Sequence, residues 1–323
     1  MKKITSFFLF LCAPLLALPV VASAHVKWFA ESEGFVRPYS LSDAPVLVWI
    51  VVSLLLIGVG VWLERKLGVP AWLKRHIEAW APIALSVASV GFGLAFIIFS
   101  FNGFIFAPNM PTEGTMGTVL LAIQFVAGLM ILLGLYERVG ALILVALFGL
   151  AFKEYGASYM LDTLEMLGFA MYVLLIGRPR WHLAQANWLE PLVHRAHVYG
   201  VPLLRVFTGL NLFILGFSEK ILAPELTQNF LAGHSWNFMQ QIGFHGFTDY
   251  WFAFSAGVVE VLFGIFLMLG LITRTTTIIL AVFLSATLVV LGPVELMGHL
   301  PHFSIAIVFL TMGVGARLRF VRG

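Results

Sequence analysis

The chain has 323 residues, 60% hydrophobic and only 11% charged, where soluble domains carry roughly a quarter charged residues. So little charge cannot coat a sphere in water, which excludes an ordinary soluble enzyme and makes lipid the expected main solvent. The net charge of +3 and a pI near 9.1 would suit nucleic acid, but the cations follow membrane topology rather than forming a patch, so no nucleic acid is implied.

The opening stretch "MKKITSFFLFLCAPLLALPVVASA" has two lysines, an apolar core and Ala22-Ser23-Ala24, the three-part layout of a secretory signal peptide (1–24). Cleavage after Ala24 makes His25 the mature N-terminus; the alternative is an uncleaved signal anchor. The chain's one cysteine, Cys12, lies in this segment, so the mature protein has no thiol for disulfide exchange or for cluster ligation. Leu11 before it is too bulky for a lipoprotein cleavage site.

Apolar runs then follow at about 44–63, 83–101, 117–135, 138–153, 159–177, 201–218, 250–271, 275–292 and 302–316. Most are long enough to cross roughly 30 Å of hydrocarbon as helix, the run at 138–153 being the shortest. Continuous apolar runs exclude the alternating pattern of a barrel. The expected fold is therefore all-α, a polytopic membrane helix bundle of about nine transmembrane helices. With the mature N-terminus outside, segments 64–82, 136–138, 178–200, 272–274 and 317–323 face the cytoplasm. They hold twelve cations, Arg65, Lys66, Lys74, Arg75, Arg138, Arg178, Arg180, Arg195, Arg274, Arg317, Arg319 and Arg322, against Lys27, Arg37, Lys153 and Lys220 outside. That asymmetry obeys the positive-inside rule and suits a bacterial inner membrane, with the C-terminus cytoplasmic.

The chain also repeats itself. "LLGLYERVGALILVALFGLA" (132–151) aligns with "MLGLITRTTTIILAVFLSAT" (268–287), pairing Gly134 with Gly270 and Arg138 with Arg274. Upstream, "QFVAG" (124–128) meets "EVLFG" (260–264), and Ala-Pro recurs at 107–108 and 223–224. An even number of helices per copy returns the chain to its starting side, so the two four-helix units should be parallel. The expected organisation is an exported segment, leading helix and cytoplasmic loop (25–82), unit A (83–177), a cytoplasmic linker (178–200), unit B (201–317) and a short tail (318–323).

Unit B carries Arg205-x3-Gly209-x6-Gly216-x3-Lys220 and Glu260-x3-Gly264-x5-Gly270-x3-Arg274. This resembles the DoxX-like family of four-helix membrane proteins, relatives of the DoxD membrane subunit of thiosulfate:quinone oxidoreductase; unit A resembles it less closely. The resemblance implies a four-helix bundle associated with membrane redox chemistry, often with a soluble partner. Where unit B has Arg205, Lys220 and Glu260, unit A has Ser89, Phe104 and Gln124, while Gly93, Gly128, Gly134 and Arg138 remain. Unit A keeps the packing residues and lacks those three charges, which places any site in unit B.

Glu260 falls near the middle of its run, where a carboxylate is costly unless neutral or paired; it is the candidate proton-handling catalytic residue. Lys220, the second catalytic candidate, would orient a substrate anion or quinone oxygen, with Glu219, Glu225 and Glu260 as its alternative partners. Arg205 is a candidate cofactor-binding residue, or else a topology anchor. Five histidines, His25, His234, His245, His299 and His302, fall on the outer side. An N-terminal His25 offers an amine and an imidazole to one Cu(II), and His299 or His302 would complete that metal site. Pro301 is placed in the first turn of the last helix, with His299 just ahead of it. The aromatic segment "GHSWNFMQQIGFHGFTDYWF" reads as an outer loop that caps a cavity or docks a partner. The leading function is a subunit of a redox system in the lipid bilayer, linked to quinone or to an exported redox partner protein. The alternatives are copper or other transition-metal handling, and a non-catalytic scaffold.

Overall fold

The computed structural model describes residues 36–66, 71–177, 181–234, 236–291 and 294–321. The signal segment and His25 lie outside the described residues. All nine apolar runs are helical: α1 (Ala44–Lys66), α2 (Ala71–Phe101), α3 (Gly114–Leu133), α4 (Glu137–Leu161), α5 (Leu164–Ile176), α6 (Gly200–Leu215), then, after α7 (Pro224–His234), α8 (Asp249–Leu269), α9 (Thr273–Leu291) and α10 (Val294–Met312). Among the described residues six helices are long and apolar enough to cross a membrane, and the apolar helices within α5, α9 and α10 are shorter. This is an all-helical integral membrane protein.

Three expectations about boundaries need correction. The helix expected from 83 begins at Ala71, so residues 71–82 of the expected cytoplasmic loop are helical. The run expected at 138–153 is a helix of 25 residues, bent at Gly156, whose φ of 79° is open to glycine. The last helix begins at Val294, so Pro301 lies inside it and both His299 and His302 are helical. A proline is tolerated there because apolar surroundings penalise any break in the helix more heavily than one missing donor.

Successive helices run in opposite directions, so loops gather at two ends. One end carries the α8 start and the segment 223–248; the other, the basic end, carries Arg138, Arg205 and Arg274. In the first set (α2–α5), α2 packs on α3, α3 on α4, and α4 on α5. In the second set (α6 and α8–α10), α6 packs on α8 and α9 on α10, but α8 and α9 barely touch. The sets then exchange partners: α10 lies along α2, and α5 along α6.

Glycine decides the close crossings. A Cβ on Gly93 would meet the carbonyl oxygen of Gly128 at 2.7 Å, and one on Gly209 would meet that of Gly264 at the same distance. No side chain fits between these backbones. Both α3 and α8 end at a left-handed glycine, Gly134 (φ 62°) and Gly270 (φ 70°). Each is followed two residues on by a positive-φ residue, Tyr136 (49°) and Ile272 (38°). At the basic end the Arg138 guanidinium donates to Ile176 O and that of Arg274 to Leu310 O and Thr311 O, holding carbonyls at the ends of α5 and α10. Arg138 also pairs with Glu190 in the linker and holds that carboxyl below its usual value by a charged hydrogen bond.

α1 is mostly exposed and touches the bundle along α8. Tyr39 donates to Tyr250 O (2.8 Å), Trp49 Nε1 to Ser255 Oγ (2.9 Å), and Ile272 N donates to Glu64 Oε2 (2.7 Å). Two bonds from α1 and one from Tyr39 just ahead of it fix the register of an otherwise lipid-facing helix.

Candidate functional site

The slack between α8 and α9 is a cavity of about 450 Å³, within the range of small-molecule sites. Four helices supply its walls: α6 through Thr208 and Leu212, α8 through Val259 and Phe263, α9 through Leu280 and Leu284, and α10 through Ile305 and Phe309. Trp49 of α1 closes one side. The roof is α7, through Phe230, together with the aromatic segment expected to cap a cavity, which brings in Trp236, Phe238 and Phe247. It has a small core of its own, Leu226, Phe230, Leu231 and Trp236 packed on Phe252 and Ala253 of α8. Asn237 Nδ2 ties it down by donating to Phe247 O (2.7 Å) and Asp249 Oδ1 (2.9 Å).

Into these apolar walls the chain sets one ion pair. Lys220 Nζ donates to both oxygens of Glu260 at 2.7 Å, with the lysine side chain 1% exposed and the glutamate 18%. Of the three alternative partners for Lys220, Glu260 is the one it grips. The lysine reaches the cavity because α6 does not end at Leu215 but continues as a π-helical segment, Gly216–Leu222. The wider turn rotates side chains relative to an α-helix, and such segments cluster at functional sites. Glycine permits the approach: a Cβ on Gly216 would sit 2.7 Å from Gly257 O, and one on Gly257 would sit 2.8 Å from Lys220 Cβ. Thr227, in the roof, is buried with a hydroxyl that makes no hydrogen bond.

At the position that the sequence aligns with Glu260, the first set carries an amide, Gln124. Gln124 Oε1 accepts from Phe106 N (2.9 Å), and its Nε2 donates to Phe104 O (2.9 Å) and Ser100 Oγ (3.1 Å). Its hydrogen bonds hold Phe106 at a φ of 61°, a strained value for a bulky residue. Here the loop backbone occupies the space that the second set leaves open, and α3 packs firmly on α4.

The other candidates scatter. Arg205 is fully buried at the basic end and does not line the cavity. Its guanidinium donates to Val314 O (3.2 Å), Met268 O (2.8 Å), Leu267 O and Leu318 O, which ties the end of α8 to the tail. His299 and His302 stand three residues apart on α10 with ring centroids 6.0 Å apart. His302 lines the cavity, whereas His299 is buried beside Thr287. Among the described residues no three His, Cys, Asp or Glu side chains are grouped to hold a metal ion, and the copper reading turns on His25, outside them.

Sequence reasoning passes over Glu165, a fully buried carboxyl on α5 whose Oε1 lies 3.9 Å from His302 Nε2. The signal was present: an acid inside the apolar run 159–177, like Glu260 in its own, is costly unless neutral or paired. It also passes over Trp49 and Thr227 as cavity residues, since nothing in the sequence joins them to α8.

Comparison with known proteins agrees with the helical pattern in one region. The DoxX family model matches residues 200–293, which takes in α6, the π-helical segment, the roof, α8 and α9. No curated protein and no solved structure matches the chain. Over residues 200–293 this integral membrane protein is DoxX-like.

Proposed function

We propose that the chain is the membrane subunit of a redox system and that its second helix set binds an isoprenoid quinone or quinol. The observation that carries this is the Lys220–Glu260 pair set in an apolar cavity between α8 and α9. A buried ion pair seldom improves stability over apolar residues of the same size, so its presence in lipid argues for a task. The ammonium suits a carbonyl or phenolate oxygen, the carboxyl group suits the proton of a hydroxyl, and the aromatic walls suit a flat ring. The thin α8–α9 contact favours access from the bilayer, where such ligands dissolve.

The two-unit organisation belongs to the same proposal. Its support is the pair of matched glycine crossings, the matched turns at 134–136 and 270–272, and the exchange of partners between α2–α10 and α5–α6. We place the protein in a bacterial inner membrane with the basic end in the cytoplasm, on the strength of the cation bias. The cavity then opens toward the outer half of the membrane, within reach of an exported redox partner.

The test is extraction of the native protein in mild detergent, followed by solvent extraction and ultraviolet assay of the quinone it retains. The wild type should hold close to one quinone per chain, and Lys220→Met and Glu260→Gln should hold little. A wild type that retains another apolar molecule and no quinone would overturn the reading.

A further inference from the structure

Glu165 is a buried acid with no task in the reading above. It stands in the first turn of α5, fully buried, and neither carboxyl oxygen takes part in a hydrogen bond. The imidazole of His302 faces it from α10, Nε2 lying 3.9 Å from Oε1. The same histidine lines the cavity. A residue of the first helix set thus backs a wall residue of the second. Asp162, buried at the turn between α4 and α5, and His299, next to His302 on α10, are the neighbouring titratable groups. Lys220 and Glu260 face the same cavity from the π-helical segment and α8.

We propose that His302 and Glu165 form a second polar station of this cavity. His302 hydrogen-bonds the ligand oxygen remote from Lys220; Glu165 is a positioning residue that orients the imidazole and shares one proton with it. The inference rests on the quinone reading and narrows it to a ring with two oxygens on opposite edges. A neutral imidazole has one nitrogen that donates and one that accepts, and a carboxyl group beside Nε2 selects the tautomer, so that Nε2 donates to a carbonyl oxygen in one state and accepts from a hydroxyl in the other. A quinone is then held by donors at Lys220 and His302, and a quinol by acceptors at Glu260 and His302. A ligand with one polar end, such as a fatty acid, would engage Lys220 and leave His302 aside.

The experiment titrates the full-length protein in mild detergent with decylubiquinone, and in parallel with decanoic acid. Quenching of tryptophan fluorescence gives Kd for the quinone, and titration calorimetry gives it for decanoic acid, which has no quenching group, across the pH range in which histidine titrates. His302→Gln should weaken decylubiquinone about tenfold, the effect of one well-made hydrogen bond, and leave decanoic acid unchanged. Glu165→Gln should flatten the pH profile of Kd, and Glu165→Asp should restore it, an outcome that a packing role would not give. Should Glu165→Gln not fold, as judged by thermal unfolding, Glu165→Asp and His302→Gln carry the test. Variants that match the wild type in Kd and pH profile would overturn this inference and leave the quinone reading standing. A wild type that binds decanoic acid and not decylubiquinone would overturn both.

Discussion

A lysine with 1% of its side chain exposed has surrendered nearly all its water, and two 2.7 Å bonds to Glu260 are what it receives in exchange. Removing one partner of such a pair is far worse than removing both. Lys220→Met strands a carboxylate in apolar surroundings and should cost about 3–5 kcal/mol, while Lys220→Met with Glu260→Met should fall near the wild type or above it. Thermal unfolding in detergent reads both. A double variant as unstable as the single one would make the pair a structural fixture and remove the main support for a site here. Glu260 was legible in the sequence because a charge inside an apolar run stands out. Its pairing with Lys220 was legible only as one of three choices for the lysine, because the choice depends on the π-helical turn at Gly216–Leu222, which no residue pattern announces. Glu165 is also an acid inside an apolar run, but it lies close to the start of its helix and aligns with none of Arg205, Lys220 and Glu260, so the repeat does not point to it.

At the scale of the helix, the difference between a filled and an open set comes down to which contacts glycine permits and which an amide closes. The α6–α8 crossing is one of the closest: a Cβ on Gly264 would lie 2.6 Å from Gly209 O and 2.7 Å from Phe213 N. Both obstacles are backbone, so no side chain can swing aside. Gly264→Ala should therefore destabilise by roughly 1–3 kcal/mol, as overpacking does, and should also disturb the wall that carries Glu260. Gly58, on the exposed α1 with nothing within 4 Å of an added Cβ, is the control: Gly58→Ala should be neutral or stabilising by up to about 1 kcal/mol. Equal losses at the two sites, measured by unfolding in detergent, would mean that the crossing is not held as tightly as the distances imply. Hydropathy marked every one of these helices but misjudged α4 and the start of α10. An apolar run reports burial in lipid, and a bend such as that at Gly156 or a proline carried inside a helix leaves no trace in it.

The two helix sets cannot be two independent bundles placed side by side, because their first and last helices are shared. α10 covers α2 where a Cβ on Gly91 would meet Ser304 Oγ at 2.3 Å, and α6 covers α5 where one on Gly168 would meet Phe207 Cβ at 2.8 Å. Each set alone would leave two small-residue seams without a partner, and lipid, as apolar as the helices, offers no driving force to close them; only close packing does. The linker gives little of this cohesion to the second set, since its ordered contacts run to the first: Leu183 N and Ala184 N donate to Gly134 O, and Tyr136 N to Ala184 O. Severing the chain after Arg195 should therefore be tolerated. Residues 1–195 and 196–323, made together, should co-purify as a complex that still binds decylubiquinone. Residues 196–323 made alone, although they contain all of the DoxX-like region and the Lys220–Glu260 pair, should aggregate or be degraded. A stable, quinone-binding 196–323 would show that the cavity needs nothing from the first set, and would count against Glu165 as a member of the site.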